Sequence, residues 1–259
     1  MTTVLPPGEV LAPSGPVRLR APRPELGRVL STLWLTEVAA GEGLTRVLPD
    51  AQVDLVFGDG RPRVAGPDTG PVRERLVGGA VLGFQLRADA VAAVLGVPAT
   101  ELANERVELA ELWGRPGREV AARMAAAGSV GAAARVLEAA LVARVDGAAL
   151  DRVPGRVRLL VARGWSDVRA LAAEVGLGER QLRRRATAAF GYGPRTLARI
   201  VRFQRVVDAL RSPPAPGLAE LAVREGYTDQ AHLSREVTAL AGLTPGALRA
   251  ALRAAAGPP

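Results

Sequence analysis

Leu171-Ala172-Ala173-Glu174-Val175-Gly176 returns fifty residues later as Leu221-Ala222-Val223-Arg224-Glu225-Gly226. Phe190-Gly191-Tyr192-Gly193-Pro194 is then matched, through its Gly and Pro, fifty-one residues on by Leu240-Ala241-Gly242-Leu243-Thr244-Pro245. The step from fifty to fifty-one places one inserted residue near Thr228 to Leu233. Each copy reads as a helix, a Gly-containing turn, a second helix and a Gly-x-x-Pro stop and restart, which is the layout of a helix-turn-helix unit.

Capping and periodicity place the helices. Ser166 is expected to cap a helix from Asp167 to Val175, with Gly176 supplying the left-handed turn after it. A second helix, from Glu179 to Ala189, would bury Leu182, Ala186 and Phe190 and turn Arg180, Arg183 and Arg184 outward. In the other copy Thr228 is expected to cap a helix from Asp229 to Leu240, with Leu233, Val237 and Leu240 inside and Gln230, Ser234 and Arg235 outside. Between the copies, Pro194 to Arg211 reads as one helix ended by Ser212-Pro213-Pro214. At 1.5 Å per residue this rod spans about 27 Å, comparable to the roughly 34 Å between successive major-groove faces of B-DNA. Its apolar face carries Ile200, Phe203, Val207 and Leu210. Arg195, Arg199 and Arg202 form a separate basic stripe that reads either as phosphate-contacting or as a wetted helix face.

Charge separates the two parts of the chain. The net charge of +8 over 259 residues divides into 17 Arg against 18 acids before Gly155, and 17 Arg against 8 acids from Gly155 onward. Only the basic second part is expected to meet a polyanion. All basic residues are Arg, which points mainly to codon bias and not to chemistry. No apolar run approaches the roughly 20 residues of a membrane span, and the Pro-rich start lacks the pattern of a secretory signal, so a cytoplasmic location with no membrane partner is expected. Cysteine is absent, which excludes disulfides and thiolate chemistry.

The first part reads as short strands: Val29 to Val38, Thr45 to Leu48, Val53 to Phe57, Arg63 to Ala65, Val72 to Leu76 and Ala80 to Leu86. Helices follow at Ala88 to Leu95, Glu108 to Trp113, Glu119 to Ala127 and Ala132 to Val145. The fold class is therefore α+β, with a small antiparallel sheet or barrel-like domain over residues 1–150 and an all-α domain over residues 155–256. In the last of these helices Leu137, Leu141 and Val145 form a stripe suited to packing within the chain or on its own copy in a homodimer. Asp50 and Asp54, four residues apart, would share one face if both lie on a strand. One reading makes Asp54 and Gln85 the polar anchors of a ligand pocket walled by Trp34, Phe57 and Phe84; the other makes the pair a turn Asp and a solvated Asp.

The second part resembles the AraC/XylS family of bacterial transcription regulators, which join two helix-turn-helix units by a long helix. The resemblance covers about Val168 to Arg253. It rests on Leu-Ala-x-x-x-Gly twice, on Phe190-Gly191 with Pro194, and on Gly226-Tyr227-Thr228-Asp229-Gln230-Ala231-His232-Leu233-Ser234-Arg235 followed by Gly242-Leu243-Thr244-Pro245. Leu233 and Val237 stand where the family usually has aromatics, and Gly178 where a hydroxyl residue often caps. The first part resembles an N-terminal domain of unknown function found in some actinobacterial members, through Leu48-Pro49-Asp50, Val53-Asp54-Leu55, Gly83-Phe84 and Glu108-Leu109-Ala110-Glu111-Leu112-Trp113.

An Arg in the major groove can donate two bonds to guanine, and a Gln can pair with adenine. The candidate base readers are Arg180, Gln181, Arg183 and Arg184 in the first unit and Gln230, His232, Ser234 and Arg235 in the second. Candidate phosphate contacts are Arg195, Arg199, Arg202 and Thr228. With His232 as the single histidine, a His-rich metal centre and a Ser-His-Asp triad in the first domain are excluded, and no P-loop or Rossmann glycine pattern occurs. No enzyme activity, cofactor or metal is expected. The expected function is sequence-specific regulation of transcription on double-stranded DNA, modulated by a small-molecule effector in the first domain, with RNA polymerase as a further partner of an activator. Two alternatives stand beside it: an enzyme-like first domain using Asp50 and Asp54 and tethered to DNA, and a constitutive or nonspecific DNA-binding protein.

Overall fold

Along Val53-Asp54-Leu55-Val56-Phe57 the odd positions are buried and the even ones half-buried, as expected of a strand with helices packed on one face. The computed structural model describes residues 9–11, 18–38, 44–75, 78–145, 149–212 and 214–256. Its N-terminal part contains β1 (Glu9–Leu11), β2 (Arg18–Arg20), β3 (Leu30–Val38), β4 (Leu44–Val47), β5 (Val53–Phe57), β6 (Pro62–Ala65), β7 (Val72–Arg75), β8 (Gly79–Leu86) and β9 (Arg106–Glu108). Six of these form an antiparallel sheet in the order β2-β3-β8-β5-β6-β9. The other sheet runs β1-β4-β7, with β1 parallel to β4.

Helices α1 (Val91–Leu95), α2 (Leu109–Trp113), α3 (Arg115–Ala125) and α4 (Val130–Val145) belong with the sheets. One core joins Leu33, Leu55, Val64 and Phe84 of the larger sheet to Val94 and Leu95 of α1 and to Leu137 and Leu141 of α4. The α4 stripe is thus spent within its own chain, which decides between the two packings open to it.

Several boundaries moved. Strands β1, β2 and β9 were not expected, and Leu76 lies outside the described residues. The expected helix from Glu108 begins one residue later, because Glu108 stays extended in β9 and closes a capping box with Glu111. Helix α3 starts at Arg115, not Glu119, because Pro116 fits its first turn and Gly114, at φ 61°, breaks the chain from α2.

The C-terminal part is helical: α5 (Arg152–Ala162), α6 (Val168–Glu174), α7 (Glu179–Phe190), α8 (Pro194–Arg211), α9 (Leu218–Arg224), α10 (Gln230–Ala241) and α11 (Pro245–Ala256). Its core runs from Val157 through Leu182, Phe190, Ile200 and Phe203 to Leu233, Leu240 and Leu248, and it also takes in Leu11 and Ala51 from the first domain. No described helix is long and apolar enough to cross a membrane.

Candidate nucleic-acid interface

In the first unit α6 and α7 are joined through Gly176 at φ 69°, and in the second α9 and α10 through Gly226 at φ 75°. Nothing crowds either glycine, so the left-handed backbone alone selects the residue there. The caps differ from expectation by one residue. Asp167, not Ser166, caps α6 by accepting from Arg169 N, and Asp229, not Thr228, caps α10 by accepting from His232 N at 2.6 Å. A carboxylate beside the first helical amide outcompetes the neighbouring hydroxyl, since it gains from the helix dipole as well as from the bond.

Burial of Leu182, Ala186 and Phe190 on α7 leaves Arg180, Gln181, Arg183 and Arg184 exposed. Arg183 is ion-paired with Glu179 at 3.0 Å, whereas Arg180 and Arg184 have no partner among the described residues. On α10, Gln230 and Arg235 are exposed and Ser234 half-buried. The His232 ring stands edge-on to Tyr227, with centroids 5.2 Å apart, so it braces the turn as well as lying at the candidate surface. Thr228 is exposed, its hydroxyl 3.4 Å from His232 Nδ1.

Helix α8 buries Ile200, Phe203, Val207 and Leu210. Its basic stripe is not the bare row expected. Arg195 is exposed, but Arg199 lies 3.3 Å from Glu236 and Arg202 clasps the same carboxylate. Tyr227 Oη donates to Glu236 at 2.8 Å, and the Arg202 guanidinium sits over the Tyr227 ring at 4.2 Å. Burial, together with the Glu236 charge, pushes the Tyr227 hydroxyl well above its ordinary range, so it stays a donor. Arg205 binds Glu225 at 2.8 Å. These acids were missed. Glu236 lies on the apolar stripe of Leu233, Val237 and Leu240, and a carboxylate on an inward face is itself the signal of a buried partner.

The two units are seated on the first domain. Gln204 of α8 donates to Pro49 O at 2.6 Å, Arg158 of α5 to Ala51 O at 3.2 Å, and Arg46 of β4 to Ala241 O at 2.9 Å. The equivalent turns after α7 and α10 both lie against it. A Cβ on Gly191 would come 2.7 Å from Pro67 and 3.0 Å from Ala99 O, and one on Gly242 would come 2.4 Å from Arg46 and 3.3 Å from Pro71.

The expected ligand pocket is not formed by its five candidates. Strand register pairs Leu33 and Leu55 with Phe84, and Trp34 with Gly83, so side chains alternate between faces. Phe57 and Phe84 therefore enter the helix-covered core, while Trp34, Asp54 and Gln85 lie on the opposite face. Trp34 Nε1 donates to Asp54 at 3.2 Å, and Gln85 accepts from Ser31 Oγ at 2.8 Å. A cavity of about 40 Å³ on that face is lined instead by residues including Val56, Arg63, Glu74 and Arg106, and holds at most a few waters.

Asp50 and Asp54 do not share a strand, because Ala51 takes φ 61° and β5 begins only at Val53. The Asp50 charge nonetheless acts on Asp54. Burial, against the Gln52 amide and Arg158, pushes Asp50 up to about 6. Burial and then the Asp50 charge, against the Trp34 bond and Arg106, push Asp54 up to about 7. Tyr192, in the turn between α7 and α8, is raised by burial and by Asp50, and its buried hydroxyl has no hydrogen-bond partner among the described residues.

Residues 171–251 match the family described as a helix-turn-helix domain, and residues 18–108 match a domain of unknown function (DUF6597). No curated protein matches the chain. Among solved structures, the C-terminal domain of AraT, a response regulator from Geobacillus stearothermophilus, is 21% identical over 40% of this chain and 88% of its own, with a TM-score of 0.37. ToxT from Vibrio cholerae O395 is 9% identical over 91% of this chain and 96% of its own, at 0.41. Wild-type ToxT with a bound unsaturated fatty acid, from Vibrio cholerae strain SCE256, is 9% identical over 94% and 97%, at 0.42.

Proposed function

From a chain that carries an AraC-type helix-turn-helix domain at residues 171–251 behind an N-terminal domain of unknown function, we infer a DNA-binding transcription regulator that recognises a specific operator through both units. One observation carries this reading: α7 and α10 each bury one face and present Arg and Gln on the other, at the two ends of an 18-residue helix. Arg180, Arg184, Gln230 and Arg235 are the base readers of this scheme, and Arg195 and Thr228 its phosphate contacts.

The first domain is its regulator. It touches α8, the turn after α7 and the turn after α10, so a change in docking alters the relative placement of both reading helices. A small-molecule effector acts only if it binds the docked and undocked arrangements with different affinity. RNA polymerase is a further partner if operator binding raises transcription.

Selection of duplexes from a random pool, followed by competition of the enriched site against random DNA at fixed salt, tests the reading. A specific site is expected to outcompete random sequence by at least 10³-fold. Equal competition would leave a nonspecific DNA-binding protein.

A further inference from the structure

Between the two helix-turn-helix units lies a groove of about 230 Å³. Helix α8 forms its floor and contributes Arg195, Arg199, Arg202 and Arg205; Trp165 stands on the first-unit side and Glu225 on the second. Gly164 at φ 95° and Gly226 at φ 75° line its edges, and nothing lies within 4 Å of a Cβ added to either, so bare backbone borders open space there.

The charges do not balance. Glu236, 8% exposed, is shared by Arg202 and Arg199; Glu225, 9% exposed, is shared by Arg205 and Arg224. Arg195 is exposed and has no ion pair among the described residues. Two carboxylates thus face at least four guanidiniums, leaving an excess of positive charge inside a concave surface. The same ion pairs hold the arginine stems in place before any ligand arrives, which lowers the entropy lost when an anion binds. Trp165 is 38% exposed beside these cations, a wall that an entering group would cover.

We propose that this groove is a phosphate site. The planar guanidinium fork matches two oxygens of a phosphate; Arg195 offers such a fork beside three arginines held by carboxylates, and the net excess of charge selects that group over a neutral ligand. Two sources supply it: a backbone phosphate of a duplex spanning both reading helices, or a free phosphorylated ligand. The duplex source rests on the DNA-binding reading above.

The test uses the full chain and Arg195→Ala, an exposed position whose loss strands no carboxylate. The duplex source predicts that the slope of log affinity against log salt falls by about one on operator and random DNA alike, with their affinity ratio kept. The free-ligand source predicts saturable quenching of tryptophan fluorescence by inorganic pyrophosphate or phosphate, abolished by Arg195→Ala and absent from Trp165→Phe, with the salt slope unchanged. An unchanged slope together with no saturable quenching overturns the proposal. If the parent protein prefers no operator yet its slope still responds to Arg195→Ala, the sequence-reading function fails and the phosphate site stands.

Discussion

Arg202 Nη2 donates to both carboxylate oxygens of Glu236 at 2.9 Å, tying the linker α8 to the inward face of α10. With Tyr227 on the same carboxylate, this bond fixes the angle at which α10 leaves the rod. Arg202→Ala leaves a carboxylate that is 8% exposed with only Arg199 and Tyr227, so a loss of about 2–3 kcal/mol is expected, lowering Tm by roughly 4–12 °C. Replacing both partners, as Arg202→Met with Glu236→Leu, is expected to recover most of that loss, because no buried charge then remains. Thermal melts of the two singles and the double decide it; a double variant as unstable as the sum of the singles would refute the coupling.

Arg184 and Arg235 are exposed, one on α7 and one on α10. Arg184→Ala and Arg235→Ala are each expected to weaken operator binding by about 1–3 kcal/mol, roughly 5- to 150-fold, while leaving Tm within about 0.5 kcal/mol of the parent in stability. Affinity for random DNA is expected to change far less. Gel-shift titration on both duplexes measures the difference, and operator affinity unchanged in both variants would displace the reading surface from these helix faces.

Much of the helical half was legible because its signals are local. Pro194 at the start and Ser212-Pro213-Pro214 at the end bound α8 at the residues where it begins and ends, and the buried residues of α7 fall at helical spacing. The first domain was less legible. Its strands were visible as apolar runs, but a pocket made of Trp34, Phe57 and Phe84 requires knowing the register, and one residue of offset sends a side chain to the other face of the sheet. The short strands β1 and β2 lie near prolines that mask the alternation, and their partners are distant in sequence. The docking of both units on the first domain left almost no trace, because Pro49 O, Ala51 O and Ala241 O are backbone groups whose accepting role no residue type announces.

Four turn glycines form a natural comparison. Gly176 and Gly226 have positive φ and open surroundings, whereas Gly191 and Gly242 have positive φ and the first domain pressed against them. Gly226→Ala is expected to cost about 1 kcal/mol, from backbone strain alone. Gly191→Ala adds a Cβ 2.7 Å from Pro67 Cγ and 3.0 Å from Ala99 O, and is expected to cost at least about 1 kcal/mol more. Its hydrogen-exchange protection is expected to fall on both sides of the contact, around Pro67 to Ala103 and around Tyr192. Equal costs for the two variants would show that the contact at Gly191 contributes nothing to docking.

The Asp50 and Asp54 carboxyls make stability sensitive to pH, and their raised values set the sign. Both lie above the ordinary 3.8, at about 6 and about 7, so the folded state prefers them protonated. Stability is therefore greatest at low pH as far as these groups are concerned, falls as pH rises from about 4 through about 7, and is flat above that. Arg158 and Arg106 soften the effect, while Asp68 adds to it at Asp50. Asp54→Asn keeps an oxygen for Trp34 Nε1 and removes the charge. The variant is expected to melt higher than the parent at pH 8 and to lose that advantage by pH 5, where the parent carboxyl is already protonated. Thermal melts across this range check it. An advantage of equal size at both pH values would assign the effect to packing, and none at pH 8 would show that its surroundings do not disfavour the Asp54 charge.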